Sequence, residues 1–224
     1  MGNRINFAQN ETYHLYNRGT DKRKIFSARS DYERFTALLY VGNGTEPVRL
    51  ENLRRGEQGP TLLKRTLAID RGDTLVDILA YCLMPNHFHL LVREKTEGNI
   101  SLFMQKLMTA YTMYFNTKYD RVGTLMQGKF KASHADTDRY FKYLFSYIHL
   151  NPVKLIEPTW KESGIKDRRE AKQYLMRYPY SSYVDYAIGT RPEGAIISKE
   201  VALEYVERPT DFETSMEDWL KNQD

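Results

Sequence analysis

Cysteine is nearly absent from the chain: Cys82 is the single thiol among 224 residues. One cysteine excludes a framework of internal disulfides and a zinc site built on cysteines, and it is typical of a reducing compartment. Long apolar runs are also missing, because the longest, residues 75–84, is too short to span a bilayer and includes Asp77. The N-terminus has no apolar signal core. We therefore expect a soluble cytoplasmic protein without a membrane partner.

The charge of the chain is modest, with 33 basic and 29 acidic residues and a net charge of +4. This balance suits a polyanionic partner but excludes no class of protein. Basic residues concentrate at 18–24, at 49–65 and around Lys129 and Lys131, although each cluster alone is typical of a solvated surface. The 17 tyrosines outnumber the 10 phenylalanines. A phenol ring suits stacking on unpaired bases, but it also occurs in ordinary cores.

The pattern of apolar residues predicts an α+β fold. Residues 75–83 and 87–93 are joined tightly through Pro85 and Asn86, so we expect an antiparallel hairpin. Separate helices beside such strands favour an antiparallel sheet with helices on one face, in a split βαβ arrangement. We expect further strands at 12–17 and 62–69, helices at 31–41, 100–117 and 136–150, and irregular chain at 120–133.

Helix ends and loops follow from individual residues. Ser30 is the predicted N-cap of the first helix, and Pro152 ends the last one because it disfavours helical geometry at Asn151. Glycines, prolines and charges make residues 42–61 a long loop or an insertion. A charged stretch follows at 161–173. The length fits one domain with appendages, or at most two small domains.

Two histidines stand two residues apart in one of the predicted strands. On a strand, His87 and His89 leave the same face while Phe88 points to the opposite one. A pair of neutral imidazoles aimed at one point is half of a metal site. The alternative is that one histidine packs and the other is solvated, and this short motif alone favours that alternative.

The predicted helix at 136–150 carries a second candidate group. Tyr143, Tyr147 and Asn151 step by four residues and so share one face, with about 6 Å of axial rise between successive members. If this face looks toward the histidines, a phenol and an amide oxygen meet two imidazoles. Mixed imidazole and carbonyl coordination tolerates Mg²⁺ or Mn²⁺. The alternative is an aromatic stripe packed on the sheet, which the spacing alone favours.

Several short motifs that include these residues occur in order along the chain. They are Tyr13-His14-Leu15-Tyr16-Asn17-Arg18-Gly19, Met84-Pro85-Asn86-His87-Phe88-His89, Gln127-Gly128-Lys129-Phe130-Lys131, Tyr147-Ile148-His149-Leu150-Asn151-Pro152-Val153-Lys154 and Tyr180-Ser181-Ser182-Tyr183. Over about residues 11–186 the chain resembles the single-tyrosine HUH transposases of the IS200-like type, in particular the REP-associated tyrosine transposases. The paired histidines alone are weakly specific, whereas ordered motifs at suitable spacing are strongly specific.

The resemblance implies a ferredoxin-like sheet of the HUH endonuclease type, whose central strand presents the two histidines. It implies that Tyr147 is the nucleophile and that His87, His89 and Asn151 bind a divalent metal, Mg²⁺ or Mn²⁺. The implied activity is a metal-dependent endonuclease and strand transferase acting on single-stranded DNA at hairpin-flanked sites. There the phenol displaces a 3′ oxygen, which leaves a 5′-phosphotyrosine link and a free 3′-OH.

The implied partner is single-stranded DNA with hairpins, such as REP-like sequences or insertion-sequence ends, in the cytoplasm and associated with the nucleoid. We expect a monomer in preference to a homodimer. The transposase domain is predicted to span 1–186, followed by a C-terminal tail at 187–224. Phosphate contacts are expected from six basic residues: Arg18, Lys22, Arg23, Lys24, Lys129 and Lys131.

Other functions stay open at this point. A non-catalytic nucleic-acid-binding protein could retain the HUH fold, a metal-dependent phosphodiesterase could use water in place of Tyr147, and a structural α+β module could pack its histidines. We expect Tyr143 to pack and His14 to lie on the first strand, away from the metal. His134 and His149 are expected to be structural or to contact DNA.

Overall fold

Four strands form one antiparallel sheet in the computed structural model, which describes residues 6–46, 61–187, 189 and 191–206. The strands are β1 (Thr12–Arg18), β2 (Val76–Met84), β3 (His87–Glu94) and β4 (Lys131–His134), in the spatial order β2-β3-β1-β4. β3 lies between β1 and β2 and is antiparallel to both, and β1 lies between β3 and β4 in the same way. Two interleaved split βαβ units in this order make the ferredoxin-like fold. The predicted α+β class with a ferredoxin-like antiparallel sheet is therefore confirmed.

Helices connect these strands and continue the chain beyond them. They are α1 (Arg29–Val41), α2 (Leu62–Leu67), α3 (Asn99–Lys118), α4 (Asp138–Leu150), α5 (Trp160–Ser163), α6 (Arg168–Arg177), α7 (Tyr183–Ala187) and α8 (Lys199–Leu203). Short 3₁₀ turns occur at Thr20–Lys22, Asn151–Leu155 and Pro192–Ile196. None of the helices in the described ranges is long and apolar enough to cross a membrane.

Helices cover both faces of the sheet. On one face, α1 and α3 pack on β3, and the rings of Phe35 and Phe88 lie 5.2 Å apart between their centroids. On the other face, α4 packs on β2 and β3, with the ring of Tyr147 5.4 Å from that of His89. The expectation of helices on one face therefore describes α1 and α3 but misses α4. The reason is that all nine residues of β2 are buried, and a strand buried on both sides needs a cover on both sides.

Two predicted segments have a different secondary structure. Residues 62–69 were expected to form a strand, but α2 occupies them, because Leu63 and Thr66 bury one helical face and the Thr61 side chain caps the first turn. Residues 120–133 were expected to be irregular, but their last three residues begin β4, which pairs with β1. β4 is a short edge strand without fully buried residues, so it lacks the apolar alternation that identifies a strand.

The connections around the sheet follow the sequence more closely. Pro85 and Asn86 join β2 to β3 as the predicted antiparallel hairpin. The Thr137 side chain caps α4 by accepting a hydrogen bond from the Tyr140 backbone. α4 ends at Leu150, as predicted. The predicted reason is wrong, however, because Asn151 keeps helical backbone angles (φ −52°, ψ −38°) and the chain continues as the 3₁₀ turn Asn151–Leu155.

A smaller apolar cluster continues from the end of α4. It contains Trp160, which is fully buried, and it joins α5, α6 and α7 to the helix that carries Tyr147. Farther along, the Ser198 backbone donates a hydrogen bond to Ile78 of β2 at 2.8 Å, and Ile196 is fully buried. The division into a domain and a tail at residue 187 stays a prediction. Of the predicted loop at 42–61, residues 47–60 lie outside the described residues, as does the tail from residue 207.

The start of α1 depends on one carboxylate. Asp31 accepts hydrogen bonds from the backbone N–H groups of Ser27 and Ala28 at 2.8 and 2.9 Å. Ala28 is therefore the N-cap, and the prediction of Ser30 for that position is wrong. A carboxylate three residues into the helix can satisfy the free N–H groups that a serine hydroxyl would otherwise bind.

The same carboxylate ties α1 to α3. Asp31 is fully buried and forms an ion pair with Lys118 at 2.5 Å. It also accepts hydrogen bonds from the hydroxyls of Tyr114 and Tyr119. Burial alone would raise the pKa of Asp31, but the hydrogen bonds from Lys118, Tyr119 and the backbone outweigh burial and lower it. The charged form of Asp31 therefore stabilises the contact between the two helices.

Asp31→Asn should lower the free energy of unfolding by about 3 kcal/mol at pH 7, because it leaves Lys118 and several donors without their charged acceptor. Urea denaturation measures the change. Because the folded pKa is lowered, wild-type stability from this group is present above about pH 4 and is lost below it, and the variant should lack this loss. Glu33→Gln is the control, since its pair with the exposed Arg29 should change stability by less than about 1 kcal/mol. Equal effects of the two variants would contradict the assignment.

Candidate active site

The middle of the sheet presents paired imidazoles toward α4. His87 and His89 leave β3 on the α4 side, with ring centroids 5.0 Å apart and planes at 88°. Between them, Phe88 points to the opposite side and packs on Phe35. His89 is buried, and His87 is partly exposed at the end of the strand. The strand alternation expected from the sequence therefore places both rings at one point.

A third imidazole joins this pair from the neighbouring strand. His14 of β1 is buried, and its Nε2 lies 2.8 Å from Nδ1 of His89. His14 lies on the first strand, as predicted, and it contacts the Nδ1 atom of His89. This contact follows from the register, in which Tyr16 pairs with His89 and His14 with Leu91. Alternate residues of the two strands share a face in this register.

In both His87 and His89, the Nδ1 atom has a hydrogen-bond partner within the protein. His87 Nδ1 lies 2.7 Å from Oδ1 of Asn86. Because an amide oxygen only accepts, Nδ1 of His87 carries the proton and Nε2 carries the lone pair. In His89, Nδ1 is engaged with His14. Nε2 of His87 is therefore available to a metal, and so is Nε2 of His89 in the tautomer whose Nδ1 donates to His14. In both rings the partner at Nδ1 fixes the orientation.

The three imidazoles are held neutral. Burial, followed by the charge of Lys161, lowers the pKa of His14 to about 4. Burial and then the charges of Lys161 and Lys154 lower the pKa of His87 to about 4, against a hydrogen bond with Asn151 that raises it. Burial and then the neighbouring rings of His14 and His87 hold the pKa of His89 well below its ordinary value. Each ring therefore keeps one unprotonated nitrogen at neutral pH.

The last turn of α4 brings Tyr147 and Asn151 to this group. The ring of Tyr147 lies 5.4 Å from that of His89 and 6.0 Å from that of His14, edge to face in both contacts. Asn151, one turn later, is buried and donates from Nδ2 to the backbone oxygen of Tyr147 at 2.9 Å. Asn151 also lies beside His87 and raises the pKa of that imidazole. Tyr147, His87, His89 and Asn151, identified from the sequence, thus lie together.

The other aromatic and histidine candidates lie around this group. Tyr143 stacks on Tyr147 with centroids 6.0 Å apart, as expected for a packing residue. His149 is a buried residue of α4, and its Nε2 lies 2.8 Å from the Ser182 hydroxyl. His134 lies on β4 and pairs with Glu11. Whether either histidine is structural or contacts DNA stays a prediction.

One charged side chain that the sequence did not single out reaches the phenol. Lys161 Nζ donates to the Tyr147 hydroxyl at 2.7 Å and lies 4.1 Å from the centroid of the Tyr147 ring. Lys161 follows the buried Trp160 on α5. In the sequence it belongs to the charged stretch at 161–173, and nothing in that stretch distinguishes it.

The site opens into a cationic cleft with a volume of about 830 Å³. Its described lining residues include no aspartate or glutamate, so the cleft suits a polyanion. Of the residues predicted to contact phosphates, Arg23 instead bonds to Thr20 and Asp21, and Lys129 lies outside the cleft. The cations that line it are Arg18, Lys22, Lys24, Lys131, Lys154 and Lys161. The sequence prediction thus missed Lys154 and Lys161.

A metal at this site would need an amide ligand. Within the described ranges, no group of three or more His, Cys, Asp and Glu side chains is arranged to hold a metal ion. The candidate set is two imidazoles whose Nδ1 atoms have other partners and the Asn151 amide beside His87. This donor set, neutral and hydrogen-bonded at its outer atoms, fits a divalent cation that retains other oxygen ligands.

One segment of the chain is similar to a family of transposases. The family model "Transposase IS200 like" matches residues 63–151, a stretch that contains both β3 histidines, Tyr147 and Asn151. The predicted resemblance to IS200-like transposases is confirmed over this stretch, and the match supports transposase function.

The comparison with individual proteins is less informative. A solved structure described as a REP-associated tyrosine transposase bound to a REP hairpin has 13% sequence identity and a TM-score of 0.46. The match covers 86% of this chain and 89% of that one. A similarity of this size assigns no role to any residue. No curated protein matches the chain significantly.

We expect NMR titration of the imidazole signals to place the pKa of His14 and His87 near 4. Lys161→Met should raise both values, because a nearby ammonium opposes a second positive charge. Lys154→Met should raise the value of His87 and leave His14 unchanged, since Lys154 acts on His87 alone among these two. Titration of either ring near pH 6.5 in the wild-type protein would contradict this account of the site.

Proposed function

We propose that this chain cuts and rejoins single-stranded DNA with Tyr147 as the nucleophile. The observation that carries the proposal is the placement of the Tyr147 phenol beside two neutral imidazoles in a cationic cleft. A phosphodiester has the charge that this cleft suits, and a phenol can form a phosphotyrosine ester without ATP. The family match over residues 63–151 supports the same class of reaction.

The residues of the cleft have different roles in the proposed reaction. Cations hold the phosphate backbone, and the short distance from Tyr147 to the histidines limits where the scissile phosphate can lie. The hydroxyl of Tyr147 attacks phosphorus as the bond to the 3′ oxygen breaks, which gives a 5′-phosphotyrosine link and a free 3′-OH. Because the ester retains the energy of the phosphodiester, a 3′-OH can later reverse the step and join strands.

The cofactor in this proposal is a divalent metal ion, because the side chains at the site are suitable ligands for one. Nε2 of His87, Nε2 of His89 and the side-chain oxygen of Asn151 would hold Mg²⁺ or Mn²⁺. Such an ion supplies a Lewis acid for a nonbridging phosphate oxygen. His14 orients His89 through the bond at Nδ1, and Asn86 does the same for His87.

The substrate proposed is single-stranded DNA with hairpins, of the REP-like or insertion-sequence-end kind. The motifs shared with REP-associated tyrosine transposases support this choice, and Tyr16 lines the cleft with an aromatic ring that could stack on an unpaired base. A non-catalytic nucleic-acid-binding protein is the second candidate. A protein that only binds needs no phenol beside a set of metal ligands, so the geometry favours the enzyme.

Tyr147→Phe should abolish covalent attachment to DNA, because it removes the hydroxyl that attacks phosphorus. It should leave DNA binding within about two-fold of wild type, because the aromatic ring is retained. The substrate is a pool of oligonucleotides, each a hairpin flanked by randomised single strands, labelled at the 3′ end and incubated with Mn²⁺. Denaturing gels detect the adduct. Tyr143→Phe is the matched control, since it removes a neighbouring phenol and should retain the adduct.

The same gels separate the alternatives. Cleavage that persists in Tyr147→Phe would show that water is the nucleophile and would refute the proposal. Binding by the wild-type protein without cleavage or adduct would support the non-catalytic protein.

Lys131→Gln should weaken binding of single-stranded DNA and reduce the slope of log affinity against log salt by about 0.7, as expected when one phosphate contact is lost from a single strand. Lys131 lines the cleft. Lys64→Gln is the control, because Lys64 is exposed on α2 and lies outside the cleft. Fluorescence anisotropy at several salt concentrations measures both slopes. An unchanged slope for Lys131→Gln would show that DNA does not follow this cleft.

A further inference from the structure

Lys161 contacts the atom that the proposed function makes the nucleophile. Its Nζ lies 2.7 Å from the hydroxyl oxygen of Tyr147 and 4.1 Å from the ring centroid. We propose that Lys161 is a catalytic residue that orients the Tyr147 oxygen and stabilises the negative charge on it during both cutting and joining. This inference rests on the proposed function and adds to it a group outside the histidine, tyrosine and asparagine set.

The chemistry of the phenol explains the need for such a group. In the cutting step the bond from the Tyr147 oxygen to phosphorus forms as the bond to the 3′ oxygen breaks; the phenol proton passes to water, and the 3′ oxygen takes a proton from water. In the joining step a 3′-OH attacks phosphorus and gives its proton to water, while the bond from phosphorus to the phenol oxygen breaks; the phenolate then takes a proton from water. In both steps Lys161 donates a hydrogen bond to the phenol oxygen. A charged donor at a developing oxyanion is worth more in a partly buried site than in water.

No other described group is placed for this task. The imidazoles nearest to Tyr147 are those of His14 and His89, and burial keeps both neutral. The described lining of the cleft holds no carboxylate that could accept the phenol proton. The charge of Lys161 is therefore the electrostatic support that the structure provides at the phenol oxygen.

The backbone that carries Lys161 is firmly held, so the contact is built into the fold. Trp160 is fully buried in the apolar cluster that includes Leu150 and Val153 at the end of α4. The carboxylate of Glu157 accepts hydrogen bonds from the backbone of Lys166 and Asp167 at 2.9 and 3.2 Å. The Trp160 backbone donates to the backbone oxygen of Glu157 at 3.2 Å. α5 is therefore fixed against the helix that carries Tyr147.

The test is adduct formation in a single turnover at saturating DNA, which separates the chemical step from binding. Lys161→Ala should slow this step about 100-fold, the usual loss when one donor to a developing oxyanion is removed. Added methylammonium should restore part of the rate in Lys161→Ala, because it supplies the missing ammonium group. Lys161→Arg should retain more of the rate than Lys161→Ala. Lys166→Ala is the control: it removes an exposed charge from the same segment and should keep the wild-type rate without a response to methylammonium.

The outcomes distinguish this inference from the proposed function. A wild-type protein that forms no adduct overturns the proposed function, and the role of Lys161 falls with it. A wild-type adduct together with an unchanged saturating rate in Lys161→Ala overturns the role of Lys161 alone. A slow Lys161→Ala variant that methylammonium does not rescue, and that melts at a lower temperature than wild type, would show a structural role and also overturns the inference. Lys161→Gln, which retains the side-chain volume, repeats the comparison if Lys161→Ala does not fold.

Discussion

The pairing of β1 with β3 is the constraint on which the candidate site depends. In this register Tyr16 lies opposite His89 and Arg18 opposite His87, so side chains from two strands converge on one face. A slip of one residue would turn the contribution of β1 to the other face. The apolar residues Leu15 and Leu90, which pair on the α1 and α3 side and are fully buried, make such a slip costly. The polar site is thus aligned by the packing of the opposite, apolar face.

The helix α4 contributes both to the apolar core and to the candidate site. α4 buries Phe141, Leu144 and Ile148, and the face that they define leaves Tyr147 at the boundary between core and cleft. Burial also removes water from the imidazoles, which keeps them neutral and able to act as ligands. The free energy of packing therefore supports an arrangement of polar groups that would not assemble by their own hydrogen bonds.

The spacing of residues within one strand and one helix predicts part of the candidate site, but it does not predict the contacts between different elements. The two-residue step from His87 to His89 and the four-residue step from Tyr147 to Asn151 fix shared faces within one strand and one helix, so the sequence alone predicts them. The contacts of His14 and Lys161 depend on the register between strands and on the packing of α5, neither of which local spacing contains. β4 and α2 were also missed, because an exposed edge strand and a six-residue helix carry weak periodicity. The ordered motifs indicated the ferredoxin-like topology because they span elements that are distant in sequence.

The two ends of the Asn151 amide have different tasks. Nδ2 is committed to the backbone oxygen of Tyr147 at the end of α4, so the oxygen of the amide must turn the other way, toward the histidines. A carboxylate is ordinarily the better partner for a hard cation. At this position, however, aspartate would set one oxygen against the helix carbonyl and create a repulsion where the amide makes a bond. The end of the helix thereby favours an uncharged amide over a carboxylate, and in the proposed function the net charge of a bound cation would be left for the phosphate to neutralise.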